Sequence, residues 1–124
     1  MRKAIIVADD SALIRNIISK KLSDEYVVLQ ASNGKEVIKI ITQNKQYDII
    51  GLILDLVMPE YDGFYTMEYF KKNNMFDKIP VAIISGDDSK STIDKAFKYQ
   101  IVDMLNKPLS TQKIKGIVEK MQIR

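Results

Sequence analysis

Carboxylate, hydroxyl and ammonium side chains stand directly after short apolar runs along this chain. Each one alone is typical of an ordinary turn or helix cap. Their types, taken together, suit one kind of chemistry, provided that the fold brings them to one place. In chain order they are Asp9, Asp10, Asp55, Ser85 and Lys107.

Three carboxylates brought together repel one another, so each is pushed towards its neutral form unless a cation joins them. Mg²⁺ prefers oxygen ligands and often binds through one or two carboxylates and a phosphate oxygen. A lysine places a positive charge against a phosphoryl oxygen, and a serine hydroxyl can donate to another. Because an aspartate can also act as nucleophile and form an aspartyl phosphate, the set indicates phosphoryl transfer assisted by Mg²⁺.

The composition excludes several other chemistries. The 124 residues include no histidine and no cysteine, which excludes a Ser-His-Asp triad, a phosphohistidine carrier and thiolate catalysis. The net charge of +3 comes from 19 basic and 16 acidic residues spread along the chain, a weak argument for nucleic acid. No apolar run approaches the roughly 20 residues of a membrane span. We expect one domain, residues 1–124, in the cytoplasm, with no direct contact to nucleic acid or membrane.

Apolar runs alternate with segments of helical periodicity five times, which predicts an α/β fold: a five-stranded parallel sheet with helices on both faces. Ligands of such sheets bind outside the carboxyl ends of the strands, where the polar set falls. Gly51, inside the third run, indicates a bulge or a loop residue. The first helix carries Leu13, Ile14, Ile17, Ile18 and Leu22 at apolar positions. Strands are predicted at 3–8, 26–31, 49–55, 80–85 and 102–105.

Four motifs cover almost the whole chain: Asp9-Asp10, LDLVMPEYDG around Asp55, IISG ending the fourth strand, and NKPL around Lys107. In these motifs the sequence resembles a receiver domain of the two-component response regulators, close to the stand-alone chemotaxis-type members. The resemblance implies a doubly wound, flavodoxin-like sheet of order 2-1-3-4-5 flanked by five helices. It also implies a signalling switch that catalyses only its own phosphorylation and dephosphorylation, and is not otherwise an enzyme.

The resemblance assigns roles to individual residues. Asp55 would accept a phosphoryl group, in a Mg²⁺-dependent transfer, from a sensor histidine kinase or a phosphotransfer protein. Asp10 would bind Mg²⁺ directly and Asp9 largely through water, with Asp55 and the backbone carbonyl of Val57 as further ligands. Phosphorylation would then change the affinity for a downstream partner.

Two more site residues come from the same resemblance. Ser85 would donate a hydrogen bond to the phosphoryl group and Lys107 would pair with it, and the Lys107–Pro108 peptide is expected to be cis. Many receivers carry an aromatic residue three positions before the lysine, where this chain has Met104. Met104 is either a passive filler or part of the switch.

The downstream partner is expected to contact roughly residues 91–123, by resemblance to the family. Lysines in this stretch favour a partner with an acidic patch, although a solvated charged face is the alternative. These lysines are Lys95, Lys98, Lys113, Lys115 and Lys120.

We expect a monomer, and a dimer on activation is left open.

Three other interpretations compete with the switch. A Mg²⁺-dependent phosphohydrolase resembling the haloacid dehalogenase group would need an Asp-x-Asp motif after the first strand, where this chain has adjacent Asp9 and Asp10. A receiver-like scaffold could bind partners without phosphorylation. The chain could also be one module of a longer regulator, although its start and end favour a stand-alone protein.

Overall fold

The computed structural model describes residues 1–123, in which five strands alternate with five helices. The strands are β1 (Arg2–Ala8), β2 (Val27–Ala31), β3 (Tyr47–Asp55), β4 (Val81–Ser85) and β5 (Asp103–Asn106). The helices are α1 (Ala12–Leu22), α2 (Gly34–Gln43), α3 (Gly63–Lys72), α4 (Lys90–Ala96) and α5 (Thr111–Ile123). All strands are parallel, in the order β2-β1-β3-β4-β5. The predicted fold and strand order are confirmed, and Arg124 of the expected domain lies outside the described residues.

The sheet separates two apolar clusters. Successive side chains of a strand point to opposite faces, so Ile5 and Val7 of β1 pack towards α1 and α5, whereas Ile6 and Ala8 join the cluster under α2 and α3. All four are fully buried. Burial on both faces explains why β4 and the inner parts of β1 and β3 are continuous apolar runs that do not alternate with polar residues.

Side-chain caps start the helices close to the edge where the strands end. Ser11 Oγ accepts a hydrogen bond from the Ile14 backbone N–H at 3.3 Å and so caps α1. Asp62 Oδ1 likewise accepts from the Tyr65 N–H at 2.9 Å at the start of α3. These caps fix the loops after β1 and β3, which carry the acidic residues.

Local irregularities of the backbone agree with the sequence. The register between β1 and β3 passes from Ala4↔Ile49 to Ile5↔Gly51, so the expected bulge is confirmed next to Gly51. A Cβ on Gly51 would collide with the sulfur of Met121. The Lys107–Pro108 peptide is cis, as predicted.

One face of α1 remains exposed although its sequence is apolar. Ile18 and Leu22 are buried, but Leu13 is 69% and Ile17 39% exposed. Helical spacing places Leu13 and Ile17 together, one turn apart.

Across residues 1–123, a bilayer-spanning helix is absent, because no helix combines the necessary length and apolar character.

Candidate functional site

The polar residues singled out in the sequence meet at the carboxyl edge of the sheet. Asp9 follows β1, Asp55 ends β3, Ser85 ends β4 and Lys107 follows β5. The four strands are consecutive neighbours in the sheet, and parallel strands bring their carboxyl ends to the same edge. The structure therefore brings the predicted site residues to one place, while their roles stay predictions.

Three carboxylates form the centre of this edge. Oxygens of Asp9, Asp10 and Asp55 all lie within 4.8 Å of one another. Asp9 is 0% and Asp55 3% exposed, whereas Asp10 is exposed. Asp9 Oδ1 accepts a hydrogen bond from the Ser11 N–H at 2.9 Å, and its buried Oδ2 lies 2.8 Å from Lys107 Nζ.

Lys107 supplies a positive charge to the cluster. Its Nζ lies 2.8 Å from Asp9 Oδ2 and 3.3 Å from Asp55 Oδ2, in ion pairs. Burial acts to lower the pKa of Lys107, but Asp9 and Asp55 outweigh it and raise that pKa above its usual value. One ammonium against three carboxylates leaves a negative excess, which a divalent cation would neutralise.

Asp55 has a strongly raised pKa. Burial, and after it the charge of Asp9, raise the pKa of Asp55 to about 6, although Lys107 and the Val57 N–H act in the opposite direction. The Val57 N–H donates to Asp55 Oδ1 at 3.4 Å. Strongly shifted carboxylates in a crevice are typical of functional sites.

The backbone after Asp55 is packed tightly against the start of α3. The Gly63 N–H donates to the Leu56 carbonyl at 3.0 Å. A Cβ on Gly63 would lie 2.7 Å from the Asp55 carbonyl oxygen and 2.8 Å from Leu56 Cα. Only glycine permits this approach, so Gly63 determines how the loop leaves Asp55.

Ser85 faces the loop that follows it. Its Oγ donates to the Asp87 carbonyl at 3.1 Å and accepts from the Asp87 N–H at 2.9 Å. The Asp87 carboxylate accepts from the Ser89 N–H and from Thr92 Oγ1, both at 2.8 Å, and these bonds lower its pKa. A cavity of about 260 Å³ separates this loop from the one after β3; its lining includes Leu56, Met58, Phe64, Ser85 and Thr92.

Several features could not be found from the sequence motifs. Arg15 Nη1 donates to the Asp9 carbonyl at 2.7 Å, a contact that no motif marks. Lys120 is paired with Asp103 at 2.7 Å, and Lys95 Nζ lies 3.9 Å from the centre of the Phe64 ring. Two of the five lysines expected to face a partner are therefore engaged within the molecule.

A family model described as the response regulator receiver domain matches residues 5–119. The chain thus belongs to the receiver domain family of two-component response regulators, as the motifs predicted.

Relatives from several organisms agree with this assignment. Response regulator RR06 of Streptococcus pneumoniae is 32% identical over 124 residues, covering 96% of this chain and 54% of the relative. A Campylobacter jejuni protein named "Chemotaxis protein CheY homolog" is 28% identical, with coverages of 93% and 88%. A Vibrio cholerae relative named "Probable cyclic di-GMP phosphodiesterase" is 31% identical, but the chain spans only 25% of its length.

Solved structures show the same architecture. A response regulator receiver domain from Clostridium thermocellum superposes with a TM-score of 0.82 at 27% identity, over 96% of this chain and 93% of that one. The chemotaxis response regulator CheY4 of Vibrio cholerae also gives 0.82, at 21% identity and coverages of 98% and 99%. The second likeness concerns the fold alone.

Proposed function

We propose that this protein is a phosphorylation-dependent switch in which Asp55 accepts a phosphoryl group in a Mg²⁺-dependent reaction. The observation that carries the proposal is the placement of the buried Asp55 carboxylate between two other carboxylates and the Lys107 ammonium. A histidine kinase or a phosphotransfer protein would be the donor. The switch would have no catalytic activity besides its own phosphorylation and dephosphorylation.

The donor set suits Mg²⁺. Asp9, Asp10 and Asp55 offer only oxygen ligands, which this hard cation prefers, and oxygens of all three lie within 4.8 Å of one another. We assign these three carboxylates and the Val57 carbonyl as ligands, Asp9 largely through water. Bound Mg²⁺ would neutralise charge on the carboxylates and on the phosphoryl oxygens.

Asp55 is the nucleophile in this proposal. An oxygen of its carboxylate attacks the phosphorus of the phosphohistidine, the new O–P bond forms as the P–N bond breaks, and the electron pair leaves with the imidazole nitrogen. A pKa of about 6 leaves Asp55 mainly ionised at neutral pH. Lys107 would hold one phosphoryl oxygen, and Ser85 would turn from Asp87 to donate to another.

The surfaces for the two partners would lie on different helices. Leu13 and Ile17 of α1 and Val57, two residues after Asp55, are exposed apolar side chains around the site. We assign them to donor docking, because burying apolar surface favours association. We assign residues 91–123 to the downstream partner, with Lys98 as one contact for an acidic patch.

The chain would act as a single receiver domain over residues 1–124, a monomer that can dimerise on activation. Met104 is half-buried and packs against the cluster under α2 and α3. This position suits a passive filler, and we propose that the signal passes through Ser85 instead.

Intact mass spectrometry after incubation with acetyl phosphate and Mg²⁺ tests the proposal. We expect addition of one phosphoryl group, lost in Asp55→Asn and in EDTA. Asp88→Asn is the matched control, because it removes an exposed loop carboxylate outside the cluster and should be phosphorylated normally. An adduct on Asp55→Asn, or none on the wild type together with no phosphate release, would contradict the proposal and favour a phosphorylation-independent scaffold.

A further inference from the structure

Arg15, one turn into α1, forms hydrogen bonds both to the loop after β1 that carries Asp9 and to Gln30 of β2. Its Nη1 donates to the Asp9 carbonyl at 2.7 Å and its Nε to Gln30 Oε1 at 3.0 Å. Gln30 Nε2 in turn donates to Asn16 Oδ1 at 3.1 Å and to Ser19 Oγ at 3.2 Å. The guanidinium therefore joins the loop after β1 to β2 and α1.

Asp9 is restrained by two further hydrogen bonds besides the one from Arg15, and by its ion pair with Lys107. The Asp9 N–H donates to the Ala31 carbonyl at 3.1 Å, and its Oδ1 accepts from the Ser11 N–H at 2.9 Å. The carbonyl held by Arg15 belongs to the peptide that joins Asp9 to Asp10. Because a peptide is planar, its orientation fixes where the Asp10 N–H and Cα lie, and so limits the directions in which the Asp10 carboxylate can leave the backbone.

We propose that Arg15 is a positioning residue for the divalent cation: it holds the Asp9–Asp10 peptide so that the Asp10 carboxylate faces those of Asp9 and Asp55. This inference rests on the proposed Mg²⁺ site. Groups that orient metal ligands without touching the metal commonly change affinity by about 10- to 100-fold when they are removed.

Positioning and charge predict opposite effects at this residue. A guanidinium close to the cluster repels a cation, so loss of its charge alone strengthens Mg²⁺ binding. Loss of its hydrogen bond frees the Asp9–Asp10 peptide and weakens Mg²⁺ binding. Whether the affinity for Mg²⁺ rises or falls therefore distinguishes the effect of charge from the effect of positioning.

Isothermal titration calorimetry with Mg²⁺ gives that sign. Arg15→Met keeps an unbranched apolar side chain in place of the aliphatic part of the arginine and removes its donors, and we expect its Kd to rise about tenfold. Arg15→Lys keeps the charge, but one ammonium cannot serve both Asp9 and Gln30 with the geometry of a guanidinium, so a smaller rise is expected. Lys20 lies on the same helix and is exposed. Lys20→Ala is therefore the control for the loss of one positive charge and should not weaken Mg²⁺ binding.

An unchanged or lower Kd in Arg15→Met would overturn the inference. If thermal unfolding by circular dichroism finds Arg15→Met unfolded, Arg15→Lys decides, and a Kd equal to that of the wild type overturns it. A wild type that binds no Mg²⁺ removes the proposed function as well. A wild type that is phosphorylated normally, with Mg²⁺ affinity insensitive to Arg15, removes this inference alone.

Discussion

The two halves of the site are held in different ways. In the acid half, Asp9 is restrained at its N–H, its carboxylate and its carbonyl, and the backbone of Asp55 is packed against Gly63. In the serine half, the loop from Gly86 to Ser89 is tied mainly by its own polar groups. The short helix α4 follows this loop, and Ala96 is the only buried residue of that helix.

Under the proposed function, this difference would give the two halves separate tasks. Catalytic and metal-binding groups need fixed geometry, which the acid half provides. A switch needs an element with two arrangements of similar free energy, and a loop held by a few exchangeable hydrogen bonds meets that need. The following predictions test the contrast, from the largest expected effect to the smallest.

Adding one methyl group to a glycine in each half tests the contrast directly. Gly63→Ala places a Cβ against backbone atoms of Asp55 and Leu56 that cannot move aside, and we expect a loss of about 3 kcal/mol or more in unfolding free energy. Gly86→Ala meets no described atom within 4 Å and should change stability by less than about 0.5 kcal/mol. Urea unfolding followed by circular dichroism measures both, and similar losses would contradict the contrast.

Electrostatic strain in the acid half gives a pH-dependent prediction. Because its pKa is raised to about 6, ionised Asp55 destabilises the folded state, and this penalty develops as the pH rises from about 4 to above 6. Without metal, Asp55→Asn should be more stable than the wild type by about 3 kcal/mol at pH 7.5 and nearly equal at pH 4. Urea unfolding in EDTA at both pH values tests this; an advantage independent of pH would contradict the electrostatic cause, and Asp88→Asn is the control.

Loosening the serine half should favour activation. Thr92→Val removes the donor to the Asp87 carboxylate and leaves Ser85 freer to turn towards a phosphoryl group. One hydrogen bond is worth about 1 kcal/mol, so we expect phosphorylation by acetyl phosphate to be roughly fivefold faster. Thr42→Val, which removes a local hydroxyl bond on α2, should leave the rate unchanged. Equal rates in both variants would mean that Asp87 does not restrain Ser85.

The smallest effect is expected where the chain after α4 joins α3. Tyr99 Oη donates to Glu68 at 2.6 Å, and this bond, with burial, raises the pKa of Tyr99 to about 12. Tyr99→Phe should lower stability by about 0.5 kcal/mol near neutral pH. The wild type should lose that margin as the pH rises from about 10 towards 12, because the unfolded tyrosine ionises first. Thermal unfolding of the wild type and of Tyr99→Phe measures this difference in stability, with Tyr65→Phe as the control. A larger loss would mean that the bond between Tyr99 and Glu68 is one of the main stabilising contacts between this part of the chain and α3.

Much of the fold followed from the sequence, because apolar runs and helical periodicity reflect local burial. The strand limits were predicted to within two residues. Parallel pairing then brought Asp9, Asp55, Ser85 and Lys107 to one edge without any knowledge of side-chain geometry. The bulge beside Gly51 was likewise indicated by a residue type that weakens strands.

The remaining features depend on tertiary contacts. Helical spacing shows that Leu13 and Ile17 share one face of α1. It does not show whether another element covers that face, and none of the described elements does. The bond from Arg15 to Asp9 depends on how α1 crosses β2, where Gln30 lies 15 residues further along the chain. The hydrogen bonds between Ser85 and Asp87 depend on how the loop after β4 folds back on Ser85, which no sequence motif specifies.

The exposed apolar side chains of α1 have a consequence for the timing of the signal. Leu13 and Ile17 lie on the helix that packs with α5 on one face of the sheet. Phe97, which is 51% exposed, follows α4, where Lys95 contacts Phe64 of α3 on the opposite face. If the proposed donor docks on α1, it would lie on the face of the sheet opposite Phe97, so recruitment of a target at Phe97 would not have to wait for the donor to dissociate.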